Sequence, residues 1–216
     1  MATQTTEQDK AFQTRAFEFD IRAEEDEAKG SVLDGRPIVY DSKTDISGWF
    51  SETIARGALD KANLKDVRFL VNHDTNMIPL ARSRNNNENS TMQLMVDKDG
   101  LAIRLTLDTE NNTEARALYS AVQRGDITGM SFMFAIAEEE WEGLDTDYPA
   151  RTIISISQVL EVSAVTWPAY ESTDISARDE KALDSARSAL DSARKSGEPD
   201  GLLELEKLKA KYLYGL

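Results

Sequence analysis

Between Met92 and Leu107 apolar and polar residues alternate twice over. Met92, Leu94 and Val96 share one face of an extended chain, and after D-K-D-G at 97–100 so do Leu101, Ile103, Leu105 and Leu107. A period of two marks a strand with one buried face, and Asp and Gly supply the turn, so the pattern predicts a β-hairpin. Phe17, Phe19 and Ile21 repeat the alternation near the N-terminus, and a further strand is expected over Arg36 to Tyr40. The runs Val67 to Asn72, Met130 to Ile136 and Thr152 to Thr166 predict three more strands, the last ending before Pro168. The period lengthens where Ala115, Leu118 and Val122 fall on one face. Asn112 or Thr113 can cap that helix, which is expected to reach about Arg124, with Gly125 just past its end. Another short helix is expected near Gly57 to Asn63. The fold class that follows is α+β, mainly β.

Beyond Ala177 the pattern changes. Ala182, Leu183, Ala186, Ala189, Leu190 and Ala193 recur at helical spacing, S-G-E-P-D-G at 196–201 breaks the run, and Leu202, Leu205, Leu208 and Tyr212 begin another. The expected organisation is a flexible N-terminus over 1–14, one domain over 15–176, and a helical C-terminal tail over 177–216, read as a surface hairpin or a partly ordered tail that could be a processing or scaffold-interaction segment. Charge divides the chain at the same place. Of the net −14, from 25 Lys and Arg against 39 Asp and Glu, the tail contributes nothing, since it carries eight basic and eight acidic residues. The acidic surplus of the body would repel a phosphate backbone, so nucleic acid is not an expected partner.

Composition then closes off chemistry. There is no cysteine and one histidine among 216 residues, which excludes disulfides, thiolate nucleophiles, Cys-based zinc sites and histidine-clustered metals. A site of carboxylates for Mg²⁺ or Ca²⁺ stays open by composition, but the calcium-loop spacing is absent. No metal or cofactor is expected. The polar start M-A-T-Q-T-T-E-Q-D-K has no apolar signal region, and no window approaches the roughly 18 apolar residues of a membrane span, so the expectation is a soluble intracellular protein without a membrane partner.

Three residues could carry chemistry. His73, the lone imidazole, follows an apolar strand and opens a loop holding Asp74, Asn76 and Pro79; a solitary histidine is more often structural, yet a strand end is where a side chain can leave the core for a substrate. Ser131 sits in T-G-M-S-F-M-F on the face opposite Met130, Phe132 and Phe134. It is either a polar face residue or a nucleophile, and as a nucleophile it needs a base, which only His73 can be as an imidazole. Glu161 interrupts the apolar strand L-E-V-S-A-V, where a carboxylate is costly unless paired. Arg82 or Arg104 could pair it, or it could accept the second N–H of the imidazole, and pattern alone does not choose.

Taken together, G-W-F-S-E-T-I-A-R-G-A-L (48–59), D-V-R-F-L-V-N-H-D (66–74), P-L-A-R-S (79–83), R-G-D-I-T-G-M-S-F-M-F (124–134) and L-E-V-S-A-V-T-W-P-A-Y (160–170) resemble the tailed-phage, HK97-like prohead maturation serine proteases. The blocks keep the family's order and run from about Phe17 to Arg178. Ala81 and Met133 depart from its pattern, standing where Gly is frequent. The resemblance implies a herpesvirus-protease-like β-barrel flanked by helices, and a metal-independent endopeptidase with Ser131 as nucleophile, His73 as general base and Glu161 as third member. Oxyanion donors are looked for around Ala81 to Arg84. It further implies action in the host cytoplasm inside the assembling prohead, cleaving scaffold protein or the scaffold-like arm of the major capsid protein, and the protease itself. Dimerisation is an expectation from resemblance only. A non-catalytic capsid-assembly or scaffold protein retaining the fold is the alternative.

Overall fold

In the computed structural model the described residues are 12–17, 21–26, 30–166 and 180–197. Among the described residues eleven strands and two helices follow one another: β1 (Gln13–Phe17), β2 (Arg22–Asp26), β3 (Gly30–Val39), β4 (Thr44–Ile46), β5 (Phe50–Ile54), β6 (Asp66–Val71), β7 (Ala81–Arg84), β8 (Met92–Asp97), β9 (Gly100–Thr106), α1 (Thr113–Gln123), β10 (Gly129–Glu142), β11 (Ala150–Val165) and α2 (Glu180–Gly197). The architecture is thus α+β and mainly β. One sheet has seven strands, ordered β1-β10-β11-β5-β4, with β6 on β11 and β7 on β6; the other has four, ordered β2-β3-β9-β8.

The hairpin β8–β9 turns because the Asp97 carboxylate accepts the N–H groups of Asp99 and Gly100, at 2.8 and 3.1 Å. Gly100 then crosses β3 so closely that a Cβ would stand 2.0 Å from the Ile38 carbonyl oxygen. Helix α1 starts where expected, with the Asn112 side chain accepting the N–H groups of Glu114 and Ala115, and it buries Ala115, Leu118 and Val122. The short helix expected near Gly57 to Asn63 is instead a run of turns. Gly57 takes φ +85, outside the right-handed helical region, and the carbonyls of Ala55, Gly57 and Leu59 each accept from three residues on.

Strands β10 and β11 are longer than their apolar runs. Their polar ends pair, with Trp141 opposite Arg151 and Glu142 opposite Ala150, and irregularities in the register between Met133 and Glu139 bend the ribbon. Along β11 two other strands attach in parallel, β5 at Ala150–Ile153 and β6 at Glu161–Ala164. Between the sheets Leu33, Ile38, Phe69, Met92, Leu101, Ile103, Phe132 and Phe134 are fully buried in one cluster; each such side chain contributes about 1.5–3 kcal/mol by leaving water.

At the N-terminus the strand lies ahead of the alternation at Phe17, Phe19 and Ile21: β1 spans Gln13–Phe17, so residues 13 and 14, expected in a flexible N-terminus, lie in a strand. Residues 18–20 fall outside the described residues, as do Pro168, Ala169 and Tyr170 of the last sequence block and the second tail helix expected from Leu202. The first tail helix is α2. It buries Ala186 and Leu190 with Ile46 and Phe50, flanked by Trp49, Trp141 and Leu144, and Arg187 stacks over Trp49. It also lies against β1.

Candidate active site

Register assembles the site. On β10 and β11 Ser131 stands opposite Ser163 and Met133 opposite Glu161. Side chains two apart on a strand share a face, so Ser131, Ser163 and Glu161 look to the same side. Strand β6 runs parallel beside β11 and ends at Val71, opposite Ala164. There the chain reverses: Asn72 and His73 take φ 51 and 57, a left-handed pair costing of order 1–2 kcal/mol per residue in a non-glycine chain. The turn is tied down on both sides. Asn72 N–H donates to the Ala164 carbonyl at 2.9 Å, the Thr166 N–H donates to the Asn72 side-chain oxygen at 3.0 Å, and the His73 N–H donates to Ser163 Oγ at 3.2 Å.

The reversal swings the imidazole back over β11 and β10. His73 Nε2 lies 2.5 Å from Ser131 Oγ, and Nδ1 lies 2.5 Å from Glu161 Oε1. The other carboxylate oxygen accepts the Ser163 hydroxyl at 2.6 Å. A carboxylate accepts only, so Nδ1 carries the ring hydrogen and Nε2 turns its lone pair to Ser131. Arg82 and Arg104, the other conceivable partners of Glu161, are engaged elsewhere: Arg82 makes a bidentate pair with Asp66, both contacts at 2.6 Å, and Arg104 binds Asp34 at 2.6 Å and Asp26 at 3.2 Å. The Arg82 hydrogen bond holds the Asp66 carboxyl below its ordinary range.

The segment Ala81 to Arg84, looked to for oxyanion donors, is strand β7. Its Arg82 and Arg84 N–H groups are already given to Thr91 Oγ1 and Ser90 Oγ, at 2.8 and 2.9 Å. Among the described residues no group of three or more His, Asp and Glu side chains is placed to hold a metal ion, and no helix is long and apolar enough to cross a membrane.

Two features escape the sequence reading. Ser163 supports both His73 and Glu161; its one signal is the i, i+2 spacing from Glu161 in L-E-V-S. The second lies on the other edge of β10, where β1 pairs antiparallel with Arg15 opposite Phe132 and Ala16 opposite Ser131. The Ser131 hydroxyl donates to the Arg15 carbonyl at 2.7 Å, and Ser131 is 0% exposed. The Arg15 side chain meets Glu52 of β5 through two contacts, at 2.5 and 2.8 Å, and Arg151 of β11 reaches the same carboxylate at 2.9 Å. Burial alone would raise the Glu52 carboxyl; the Arg15 and Arg151 guanidiniums outweigh it and hold the group below its ordinary value.

A hydroxyl, an imidazole and a carboxylate in contact in that order form an arrangement that serine hydrolases use. The chain belongs to the caudovirus prohead serine protease family, whose profile matches residues 17–187. The prohead protease of Enterobacteria phage HK97 is 28% identical over 154 residues, which cover 70% of this chain and 61% of that protein. This chain therefore spans about three-fifths of the length of the curated relative it matches. Among solved structures, the capsid assembly protease gp21 of bacteriophage T4 aligns with a TM-score of 0.41 at 11% identity, covering 73% of this chain and 96% of that one.

Proposed function

We propose that this chain is a serine endopeptidase of prohead maturation, with Ser131 as nucleophile, His73 as general base and Glu161 as the group that orients and steadies the imidazole. The observation that carries the reading is the unbroken contact from Ser131 Oγ through His73 to Glu161, 2.5 Å on each side of the ring. In the reaction the Ser131 proton passes to His73 Nε2 as Oγ bonds to the substrate carbonyl carbon. The imidazolium, held by Glu161, gives that proton to the amide nitrogen as the C–N bond breaks. Water then adds to the ester, its proton passes to His73, and the acid leaves as the proton returns to Ser131. Backbone N–H groups would hold the oxyanion, each worth about 3 kcal/mol of barrier.

The substrates we infer are scaffold protein or the scaffold-like arm of the major capsid protein, and the protease itself, inside the assembling prohead in the host. Family membership supports this and dimerisation, while the neutral charge and helical period beyond Ala177 support a catalytic unit over 15–176 with a removable or partner-binding tail. The pairing of a seven-stranded and a four-stranded sheet around one core supports a barrel of the herpesvirus-protease type. One observation favours the second reading, a non-catalytic assembly protein: Ser131 is fully buried, with β1 paired along the edge of the strand that carries it.

Co-expression with the capsid protein of the same phage, followed by intact mass, tests the two. Wild type is expected to shorten the capsid protein, and Ser131→Ala to leave it whole while keeping its own circular dichroism spectrum. Equal processing by both proteins would refute the assignment of the nucleophile. Co-sedimentation without processing by the wild type would favour the assembly protein.

A further inference from the structure

Ser131 is fully buried with β1 in place, and what β1 does there has the form of a bound peptide. It is extended, it runs antiparallel to the strand that bears the serine, and its Arg15 carbonyl takes the Ser131 hydrogen. Adding a strand to a sheet edge is a general way to bind an extended peptide: main-chain pairing supplies affinity, and pockets for alternate side chains supply selectivity. The alternate side chains are Gln13 and Arg15, both buried, at 8% and 5% exposed, with Thr14 between them half-buried. A serine hydroxyl has one hydrogen. Two acceptors compete for it, the Arg15 carbonyl at 2.7 Å and His73 Nε2 at 2.5 Å, so the docked strand draws on the proton whose transfer would start the reaction.

The pocket that takes the Arg15 side chain has a definite charge preference. Glu52 at its floor is 2% exposed and Arg151 2% exposed. Arg151 is shared between Glu52 and Glu139, so two carboxylates face one guanidinium until Arg15 arrives. With β1 away, two carboxylates share one guanidinium, and a peptide in its place buries Glu52 again: an arginine or lysine restores the match, a leucine leaves Glu52 with Arg151 alone, and a glutamate adds a third negative charge. The Arg15 guanidinium also gives Gln13 Oε1 a hydrogen bond at 2.8 Å and lies over the Phe134 ring at 5.9 Å, so its stem and plane are received as well as its charge.

We propose that β1 holds the substrate's place: a peptide in extended conformation adds to β10 where residues 13–17 lie, and the residue that presents its carbonyl to Ser131 is Arg or Lys, received by Glu52. This rests on the reading of Ser131 as the nucleophile and adds the substrate class. The site is therefore latent while β1 is docked, and an incoming peptide competes with the chain's own strand.

The test uses the full chain with quenched peptides containing Gln-Thr-X-Ala-Phe, where X is Arg, Lys, Leu or Glu, and a fluorophosphonate that labels an activated serine whatever its peptide preference. Cleavage after Arg and Lys is expected at least tenfold above Leu in kcat/KM, with Glu lowest. In Glu52→Gln the Arg-to-Leu ratio should fall towards one, and in Arg15→Ala Ser131 should label several-fold faster than in wild type. Labelling of Ser131 together with equal cleavage of all four peptides, a preference for Leu or Glu, or no cleavage of the Arg peptide would overturn the inference and leave the peptidase reading intact. No labelling and no cleavage, in wild type and Arg15→Ala alike, would refute the peptidase reading and this inference with it. The wild-type panel decides even if neither variant folds.

Discussion

Glu161 uses both oxygens, one for the imidazole and one for Ser163, and this division lets the two supports be told apart. Glu161→Gln keeps the shape and removes the charge that fixes the tautomer; kcat on a cleaved peptide is expected to fall on the order of 10³–10⁴-fold with KM little changed. Ser163→Ala removes a positioning hydroxyl, so the expected loss is smaller, about tenfold and again in kcat, and Ser163→Thr should recover most of it. A role confined to packing would lower the melting temperature of Ser163→Ala and leave kcat alone. At this scale the sequence is informative where a residue breaks a local pattern: His73 is the lone imidazole, Glu161 a charge in an apolar run. Ser163 breaks none, being one small polar residue in a strand, and only the pairing with Ser131 across the ribbon gives it meaning. Arg15 and Glu52 are silent for the same reason, since their partnership joins strands 37 residues apart.

The elements legible in advance are those whose own residues dictate them. Hairpin β8–β9 carries its alternation and its turn, and α1 its cap and its stripe. Strands β2, β4, β5 and β7 are short, and β2, reading R-A-E-E-D, has no apolar face to betray it. It forms because β3 offers an edge and because Arg104 gathers Asp26 and Asp34 across the pair. Gly57 misleads in the opposite sense, sitting inside an apparent helical stretch at a backbone angle that ends one. The sharpest test of an element is Gly100. A methyl group there meets the Ile38 backbone oxygen at 2.0 Å, and backbone cannot step aside as a side chain can. Gly100→Ala is therefore expected to lose about 1–3 kcal/mol in a denaturant titration, with the strain falling on β3 and β9. A change within a few tenths of a kcal/mol of wild type would mean that β3 and β9 part at little cost to admit the methyl group.

Across the whole molecule, β1, β5 and β11 are clamped by one buried carboxylate between two guanidiniums, with α2 lying against the same edge. Since Glu52 is held below its ordinary value in the folded state, the stability it contributes is fully present above the usual glutamate range near about 4.3 and is lost as pH falls through the folded value beneath it. Melting temperature measured down the acid range should therefore drop more steeply for wild type than for Glu52→Gln, and parallel curves would show that the clamp carries no such linkage. The one imidazole has a use beyond any of these measurements. With a single histidine in the whole chain, proton NMR of unlabelled protein gives one set of ring signals and needs no assignment. The hydrogen shared between His73 and Glu161 should resonate far downfield, and its movement would report, second by second, when the N-terminal strand leaves and a peptide takes its seat.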